Sequence, residues 1–216
     1  MNCILCNSPS TPLLRKDDPQ RGEVTYWICE GECGLIFLDP EKRLYNAQEK
    51  ERYDLHNNNP DDDGYRKFIQ RLTNVLIPKL SEGAHGLDFG CGPGPALSIE
   101  MEKHGFELEN YDPFYFPDAR LLEKKYDCIT ATEVLEHLHN PKDTFKRLST
   151  MLSPKGILAV MTEMVTSPDA FEKWWYHTDP THVCFYSPQT MQWIAREWEW
   201  TMDSPTKNVT IFTSGV

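Results

Sequence analysis

The sequence predicts an α/β protein with a doubly wound, mainly parallel sheet, preceded by a small β subdomain rich in cysteine. From residue 84 onward, short apolar segments typical of strands alternate with segments of helical spacing. Such alternation favours parallel strands joined by right-handed crossovers. Four of the seven cysteines lie within the first 33 residues. We therefore predict three parts: a subdomain over residues 1–40, a linker or lid over 41–64, and the main domain over 65–216.

Composition restricts the class of protein. The chain has 39% hydrophobic and 25% charged residues, which is ordinary for a soluble globular protein. No apolar run approaches the ~18 residues of a membrane span, and the first residues, MNCILCNS, lack the apolar segment of a signal peptide. We expect a cytoplasmic protein whose cysteines are thiols or metal ligands. A formal charge of −11 without a Lys/Arg block disfavours general affinity for nucleic acid.

The amino-terminal cysteines have the spacing of a metal site. Cys3 and Cys6 form a C-x2-C pair, and Cys29 and Cys33 form a C-x3-C pair after 22 intervening residues. Two such pairs can surround a zinc ion tetrahedrally. The segments EVTYWIC and GLIFLDP are typical of strands. This pattern predicts a zinc-ribbon-like subdomain with a structural zinc, and four unrelated buried thiols are the alternative.

A polar stretch then leads into the main domain. It ends in HNNNPDDDG, which is typical of a loop or linker. Apolar residues at helical spacing follow and predict an amphipathic helix. These residues are Tyr65, Phe68, Ile69, Leu72, Val75 and Leu76.

A glycine-rich turn is the most informative element. AHGLDFGCGPGP is a short strand that ends at Asp88, followed by Gly90, Gly92 and Gly94 and then a predicted helix. A turn of this kind lets a ligand approach the backbone at a helix N-terminus. The dinucleotide fingerprint G-x-G-x-x-G is not met, because Pro95 takes its sixth position, and this disfavours a dehydrogenase. Asp112 ends the next strand, where an acid can bind ribose hydroxyls.

Two further strands and an edge hairpin complete the predicted sheet. KKYDCITA and GILAVMT are the strands, and the segment between them is broken by Asn140-Pro141 into a short and a longer helix. The tail, EWTMDSPTKNVTIFTS, is typical of an antiparallel hairpin at the sheet edge.

These motifs together resemble a known family. DFGCGPG, YDPF, YDCITATEVLEHL and LSPKGILAVMT resemble the successive motifs of class I S-adenosylmethionine-dependent methyltransferases. The resemblance implies a Rossmann-like sheet of seven strands, with the glycine turn at the methionine end of S-adenosylmethionine and the ribose at Asp112. Pro113 and Phe114 would lie near the adenine. The implied cofactor-binding residues are Asp88, Phe89, Gly90, Cys91, Gly92, Gly94, Asp112, Pro113, Phe114 and Thr132.

One stretch departs from the family pattern. Only fourteen residues separate Asp112 from Asp127, where the family usually has a helix, a strand and a loop. The segment FYFPDARLLEKKY is therefore expected to form a shortened connection, which leaves the usual acidic contact to the adenine unassigned.

The segment TEVLEHLH carries the candidate catalytic groups. If it is helical, Glu133, Glu136 and His137 project from one face. The glutamates then either cap and charge the first helical turn, act as acid/base groups, or bind a metal. A resemblance to the magnesium site of 3′-terminal small-RNA 2′-O-methyltransferases adds His182 as a fourth ligand. Ubiquinone-pathway O-methyltransferases show a similar Glu-x-x-Glu-His, so the four residues are candidate ligands of a catalytic divalent ion.

Three hypotheses follow for the function. The first is O-methylation of a small-molecule acceptor, assisted by a metal at Glu133, Glu136, His137 and His182. The second is metal-free transfer with His182 or His137 as general base on an oxygen, nitrogen or carbon acceptor, RNA included. The third is a non-catalytic cofactor-binding module. Net acidity favours a small molecule, and RNA and protein acceptors stay open.

The aromatic residues near the predicted site allow two interpretations each. Tyr53 and His56 are candidates for a lid over the cofactor, with a solvated linker as the alternative. Trp174, Trp175 and Tyr176 line an acceptor pocket or pack as a helix face. His177 and Asp179 lie in the same segment as His182.

Overall fold

The computed structural model describes residues 1–45, 47–55 and 59–215, and these form two sheets. The smaller sheet is antiparallel and has the order β1-β2-β3-β8. Its strands are β1 (Ser10–Asp18), β2 (Gly22–Cys29), β3 (Ile36–Leu38) and β8 (Cys184–Phe185). The two strands predicted around the second cysteine pair are confirmed as β2 and β3. The fourth strand comes from the far end of the chain, so the amino-terminal segment and the main domain share one sheet.

The larger sheet is mixed and has six strands in the order β5-β4-β6-β7-β10-β9. Its strands are β4 (His85–Phe89), β5 (Glu107–Tyr111), β6 (Tyr126–Thr132), β7 (Leu152–Met161), β9 (Thr201–Thr206) and β10 (Val209–Thr213). The first four pair in parallel, and β10 pairs antiparallel with both β7 and β9. The predicted α/β class and the edge hairpin are therefore confirmed.

Helices connect the strands of the two sheets in the described part of the chain. They are α1 (Ala47–Tyr53), α2 (Asp63–Leu76), α3 (Ala96–Glu102), α4 (Pro141–Met151), α5 (Pro168–Phe171) and α6 (Pro188–Glu197). The predicted amphipathic helix is α2, whose first turn is capped by the Asp62 side chain, which accepts from the Tyr65 amide at 2.7 Å. Its apolar face buries Ile69, Leu72 and Leu76. No helix in the described ranges is both long and apolar enough to cross a bilayer.

The sheet has six strands in the described part of the chain, so the expected number of seven is wrong. The difference lies between β5 and β6, where the chain forms only a short 3-10 helix, Ala119–Glu123. Asp112 and Phe116 pair through two backbone hydrogen bonds of 3.1 and 3.0 Å, which turns the chain back immediately after β5. Too few residues remain for a helix and another strand, and β5 is therefore the edge of the sheet.

The core of the larger sheet is formed where β7 packs against α4. The central strand β7 is buried over its last six residues, and Phe145 and Leu148 of α4 are fully buried in the same core. Burial of side chains of this size contributes about 1.5–3 kcal/mol each. The predicted part boundaries at residues 40 and 64 stay predictions, although α2 already begins at Asp63.

Candidate functional site

A cavity of about 500 Å³ opens at the carboxyl ends of β4, β5 and β6. This is the edge of a doubly wound sheet where ligands bind, and the volume suits a small organic molecule. All ten residues that the sequence implied for cofactor binding line it: Asp88, Phe89, Gly90, Cys91, Gly92, Gly94, Asp112, Pro113, Phe114 and Thr132.

The glycine turn requires glycine at its first position. Gly90 has φ +78° and its amide donates to the Tyr111 carbonyl at 2.7 Å. A Cβ at Gly90 would lie 2.5 Å from Cγ2 of Val134. Both the left-handed backbone and this close approach exclude a side chain. The glycine turn therefore packs closely against Val134, in the segment that carries the candidate catalytic groups.

Asp112 organises the cofactor side of the cavity. Its carboxylate accepts the amides of Phe114 and Tyr115 through Oδ1, at 2.8 and 3.1 Å, and the amide of Gly92 through Oδ2 at 3.1 Å. An ionised carboxylate has about four acceptor positions, so at least one is left for a ligand hydroxyl. This arrangement suits the ribose contact that the resemblance implied.

Asp88 is buried within β4. Its Oδ1 accepts the Thr130 hydroxyl at 2.8 Å. Burial, with a further contribution from the negative charge of Asp112, raises the pKa of Asp88 to about 7. The Thr132 hydroxyl, two residues after Thr130, is buried without a hydrogen-bond partner among the described residues. Such a group fits a ligand atom as its missing partner.

The candidate catalytic segment is not an α-helix. Only Leu135–His137 forms a 3-10 turn, and Glu133 precedes it with φ +51°. The Glu133 amide bonds to the Met161 carbonyl at 2.8 Å, which extends the pairing of β6 and β7 by one residue. The helix expected from the spacing is therefore wrong, since the chain is still leaving the sheet at Glu133. The longer helix does begin at Pro141, as predicted.

Tyr176 connects the two glutamates. Its hydroxyl donates to Glu136 Oε1 in a short hydrogen bond and lies 3.1 Å from Glu133 Oε2. Glu136 is fully buried, and its Oε2 accepts the Thr162 hydroxyl at 3.0 Å. A phenol has one hydrogen and serves one carboxylate at a time. Burial, and then the charge of Glu136, raises the pKa of Glu133 to about 9, which favours its protonated form.

Two histidines face each other beside Glu136. The ring centroids of His137 and His182 are 4.8 Å apart. His137 Nδ1 lies 3.0 Å from the Thr181 carbonyl, and His182 Nδ1 lies 2.7 Å from the Tyr176 carbonyl. A carbonyl only accepts, so each Nδ1 carries the proton and each Nε2 the basic lone pair. Burial lowers the pKa of His182, and a proton on His137 would lower it further.

Three of the four proposed metal ligands come together. Ligand atoms of Glu136, His137 and His182 lie within 4.8 Å of one another, and we call these three residues the EHH cluster. Glu133 is not part of this group. In each histidine the Nδ1–H group donates to a backbone carbonyl and leaves Nε2 for a ligand. This arrangement orients imidazole ligands in metal sites. The donor set suits Mg, Mn, Fe or Zn without selecting one.

The four amino-terminal cysteines also converge. Their Sγ atoms lie 3.6 Å apart for Cys3 and Cys33, 3.3 Å for Cys6 and Cys29, and 3.2 Å for Cys33 and Cys6. A tetrahedral zinc with Zn–S of ~2.3 Å would separate the sulfurs by about 3.8 Å. Amides of Leu5 and Gly31 point at Sγ atoms at 3.4 and 3.3 Å, which stabilises thiolates. These residues therefore fit a zinc ion.

The lid and aromatic predictions have mixed outcomes. Tyr53 lines the cavity, with its ring 5.1 Å from His137, whereas His56 lies outside the described residues. Trp174, Trp175 and Tyr176 do not line the cavity. Tyr176 is buried, but Trp175 is 66% exposed, so packing as a helix face does not hold for all three either. His177 packs against Phe171 with centroids 4.9 Å apart and does not line the cavity.

Several residues of the site had no signal in the sequence. Glu49 of α1 lines the cavity and bonds to His139 at 3.0 Å, although ninety positions separate them. The contacts of the Tyr176 hydroxyl with Glu133 and Glu136 also have no sequence signal, because the aromatic run predicts only a pocket wall or a packed helix face.

Comparisons with known proteins agree with this geometry. A methyltransferase domain family matches residues 62–204. A ubiquinone biosynthesis O-methyltransferase of Coxiella burnetii is 28% identical over 115 residues, which cover 43% of this chain and 49% of the relative. One of Aeromonas salmonicida is 28% identical over 82 residues, covering 37% and 34%. The chain spans about half the length, or less, of these curated relatives.

Solved structures share the fold. The magnesium protoporphyrin IX methyltransferase of Synechocystis PCC 6803 with bound SAH has a TM-score of 0.54 at 14% identity, covering 79% of this chain and 95% of that one. A SAM-dependent methyltransferase of Archaeoglobus fulgidus has a TM-score of 0.53 at 18% identity, covering 69% and 94%. Because the family match extends over more than half of its length, the chain belongs to the methyltransferase domain family, with the fold of the class I S-adenosylmethionine-dependent methyltransferases.

Proposed function

We propose that the protein transfers a methyl group from S-adenosylmethionine to a hydroxyl of a small-molecule acceptor. The observation that carries this proposal is that the EHH cluster lies beside the glycine turn: His137 and His182 line the same cavity as Gly90 and Asp112. The partial similarity to ubiquinone biosynthesis O-methyltransferases supports oxygen as the acceptor atom.

The cofactor would be held by the residues that line this cavity. Asp112 would receive a ribose hydroxyl, the Thr132 hydroxyl a polar ligand atom, and the glycine turn would allow close approach of the methionine portion. When bound, S-adenosylmethionine supplies an electrophilic methyl group, so the chain must orient the acceptor and remove its proton.

Proton removal would fall to the histidines. Both Nε2 atoms carry the basic lone pair when the imidazoles are neutral, and burial lowers the pKa of His182, which favours this neutral form. A divalent ion in the EHH cluster would instead bind the acceptor oxygen and lower its pKa. In both cases Glu133 would stay protonated, because its pKa is raised to about 9.

The charge of the cavity favours a small acceptor over RNA. No lysine or arginine lines the cavity among the described residues, whereas the acidic side chains of Glu49 and Asp112 do. Recognition of a polyanion requires cationic contacts to its phosphates. A net charge of −11 acts in the same direction.

We also propose that Cys3, Cys6, Cys29 and Cys33 hold a structural zinc. The converging sulfurs and the two amides directed at them support this assignment. The ion would tie the amino terminus to β2, and thereby to the sheet that β8 joins.

Methyl transfer to defined acceptors tests the proposal. Labelled S-adenosylmethionine would be incubated with catechol, aniline and a short RNA, with wild-type protein and with the Glu136→Gln and His182→Ala variants. We expect label in catechol and a loss of about 100-fold or more in both variants. Labelling of aniline or RNA alone, or unchanged rates in both variants, would refute the proposal.

Adding Mg²⁺ or Mn²⁺ to protein treated with a weak chelator separates the two chemical routes. Stimulation that is abolished by His182→Ala supports the metal-assisted route. Equal rates with and without these ions support a histidine general base.

A further inference from the structure

The turn over residues 179–182 orients both imidazoles of the EHH cluster. Thr181 supplies the carbonyl that accepts from His137 Nδ1, and the next residue is His182 itself. Asp179 stabilises this turn through hydrogen bonds to the residues that follow it. Its Oδ1 accepts the Thr181 amide at 3.0 Å and the Thr181 hydroxyl at 2.6 Å, and its backbone carbonyl accepts the His182 amide at 3.1 Å.

The second carboxylate oxygen of Asp179 forms an ion pair with Arg52, which is distant in sequence. Arg52 of α1 donates to Asp179 Oδ2 through Nε at 3.0 Å and Nη2 at 2.8 Å. The Asp179 side chain is 15% exposed and the Arg52 side chain 38%, so water shields this ion pair only in part. Burial alone would raise the pKa of Asp179, but hydrogen bonds from Arg52 and Thr181 outweigh it and hold the pKa well below its usual range.

Helix α1, which carries Arg52, also contributes Glu49 and Tyr53 to the lining of the cavity. Beside Arg52, the ring of Tyr53 lies 5.1 Å from His137 and 5.7 Å from Phe114. Glu49, one turn earlier, bonds to His139 at 3.0 Å. One short helix therefore contacts the residues on both sides of the cavity, and Arg52 is its ionic contact with the turn that carries His182.

We propose that Arg52 is a positioning residue that holds His137 and His182 in their orientation through Asp179 and Thr181. The connection runs from Arg52 to Asp179 Oδ2, from Asp179 Oδ1 to Thr181, and from the Thr181 carbonyl to His137 Nδ1. Its effect on turnover rests on the proposed function, but its effect on the histidines does not.

Imidazole tautomers provide the readout. Long-range ¹H–¹⁵N spectra of protein labelled with ¹⁵N-histidine distinguish the Nδ1–H form from the Nε2–H form, and His137→Gln and His182→Gln variants assign the signals. In the wild type we expect the Nδ1–H form at both positions. Arg52→Gln is expected to give a mixture of forms at His137, and Arg52→Lys, which keeps one charged donor, is expected to retain the single form.

Two further variants make the test specific. Asp179→Asn weakens the contact with Arg52 but keeps an oxygen for Thr181, so it should reproduce the spectrum of Arg52→Gln. Glu51→Gln changes an exposed neighbour on the same helix and should leave the wild-type spectrum. A wild-type tautomer pattern in both Arg52→Gln and Asp179→Asn would overturn the proposal, as would equal disturbance by Glu51→Gln.

Kinetics extend the test where a hydroxyl acceptor is methylated. Arg52→Gln should lower kcat by about 10- to 100-fold, since small displacements of catalytic groups have effects of this size. The KM for S-adenosylmethionine should change by less than about twofold, because Arg52 does not line the cavity. Loss of activity in His182→Ala with wild-type kcat in Arg52→Gln would refute this inference alone, whereas activity in both would refute the proposed function.

Discussion

Replacing Tyr176 by phenylalanine removes one oxygen atom from a buried network of two carboxylates. The hydroxyl donates to Glu136 and lies 3.1 Å from Glu133, and phenylalanine keeps the ring while it removes this donor. A hydrogen bond to a charged group contributes about 1.5–3 kcal/mol, and Glu136 has no exposed surface at which water could replace it.

The expected decrease in the free energy of unfolding is therefore about 1.5–3 kcal/mol, which corresponds to a Tm lower by about 3–12 °C for a chain of this size. Thermal unfolding followed by circular dichroism at pH 7 measures it, with urea unfolding as the independent value. The loss should become larger as the pH rises, because the phenol stabilises ionised carboxylates.

Tyr26→Phe is the matched control. Tyr26 is also fully buried, but its hydroxyl donates only to the neutral His177 carbonyl at 3.2 Å. Removing that bond should cost about 0.5–1.5 kcal/mol. If Tyr176→Phe destabilises the protein no more than Tyr26→Phe does, the reasoning about the glutamate pair is refuted.

Three other predictions follow from the same geometry. Gly90→Ala should lower the free energy of unfolding by about 2–5 kcal/mol, because the backbone is left-handed and the new Cβ clashes with Val134. Adding Val134→Ala should recover only the part that comes from the clash. No recovery in urea unfolding would contradict the close approach, and full recovery would contradict the backbone contribution. The free energy of unfolding should fall by up to ~4 kcal/mol as the pH rises from about 4 to 7, because the pKa of Asp88 is raised to about 7 in the folded protein and is ordinary in the unfolded chain. Urea unfolding of Asp88→Asn should lack this dependence on pH, and an unchanged dependence would contradict the prediction. Zinc analysis should find about one ion per chain, and Cys33→Ser should lower both the zinc content and the Tm; zinc-free protein of unchanged Tm would exclude a structural ion.

The cofactor side of the site could be predicted from the sequence because its information is local. The glycine turn, Asp88 and Asp112 follow strands directly, and in a parallel sheet the carboxyl ends of neighbouring strands meet at one edge. The residues between Asp112 and Asp127 are likewise too few for the usual elements, and this shortage predicted the shortened connection, although seven strands were still expected where the sheet has six.

The catalytic side was predicted less well because its contacts are distant in sequence. Spacing placed Glu133 with Glu136 and His137 on a helix, but the pairing of Glu133 with Met161 keeps it outside the 3-10 turn. The contacts of Arg52 with Asp179 join residues 127 positions apart, and no local periodicity encodes them. The participation of β8 in the amino-terminal sheet was hidden for the same reason, since two residues do not form a recognisable strand pattern.

A crystal structure with S-adenosylhomocysteine, recorded also at wavelengths that identify bound metals, tests the central claim most directly. The account predicts the ribose at Asp112, the glycine turn against the methionine portion, and the thioether sulfur facing His137 and His182. The same crystal would show any ion in the EHH cluster and zinc at the four cysteines. A ligand bound outside this cavity, or with its sulfur directed away from the two histidines, would contradict the account.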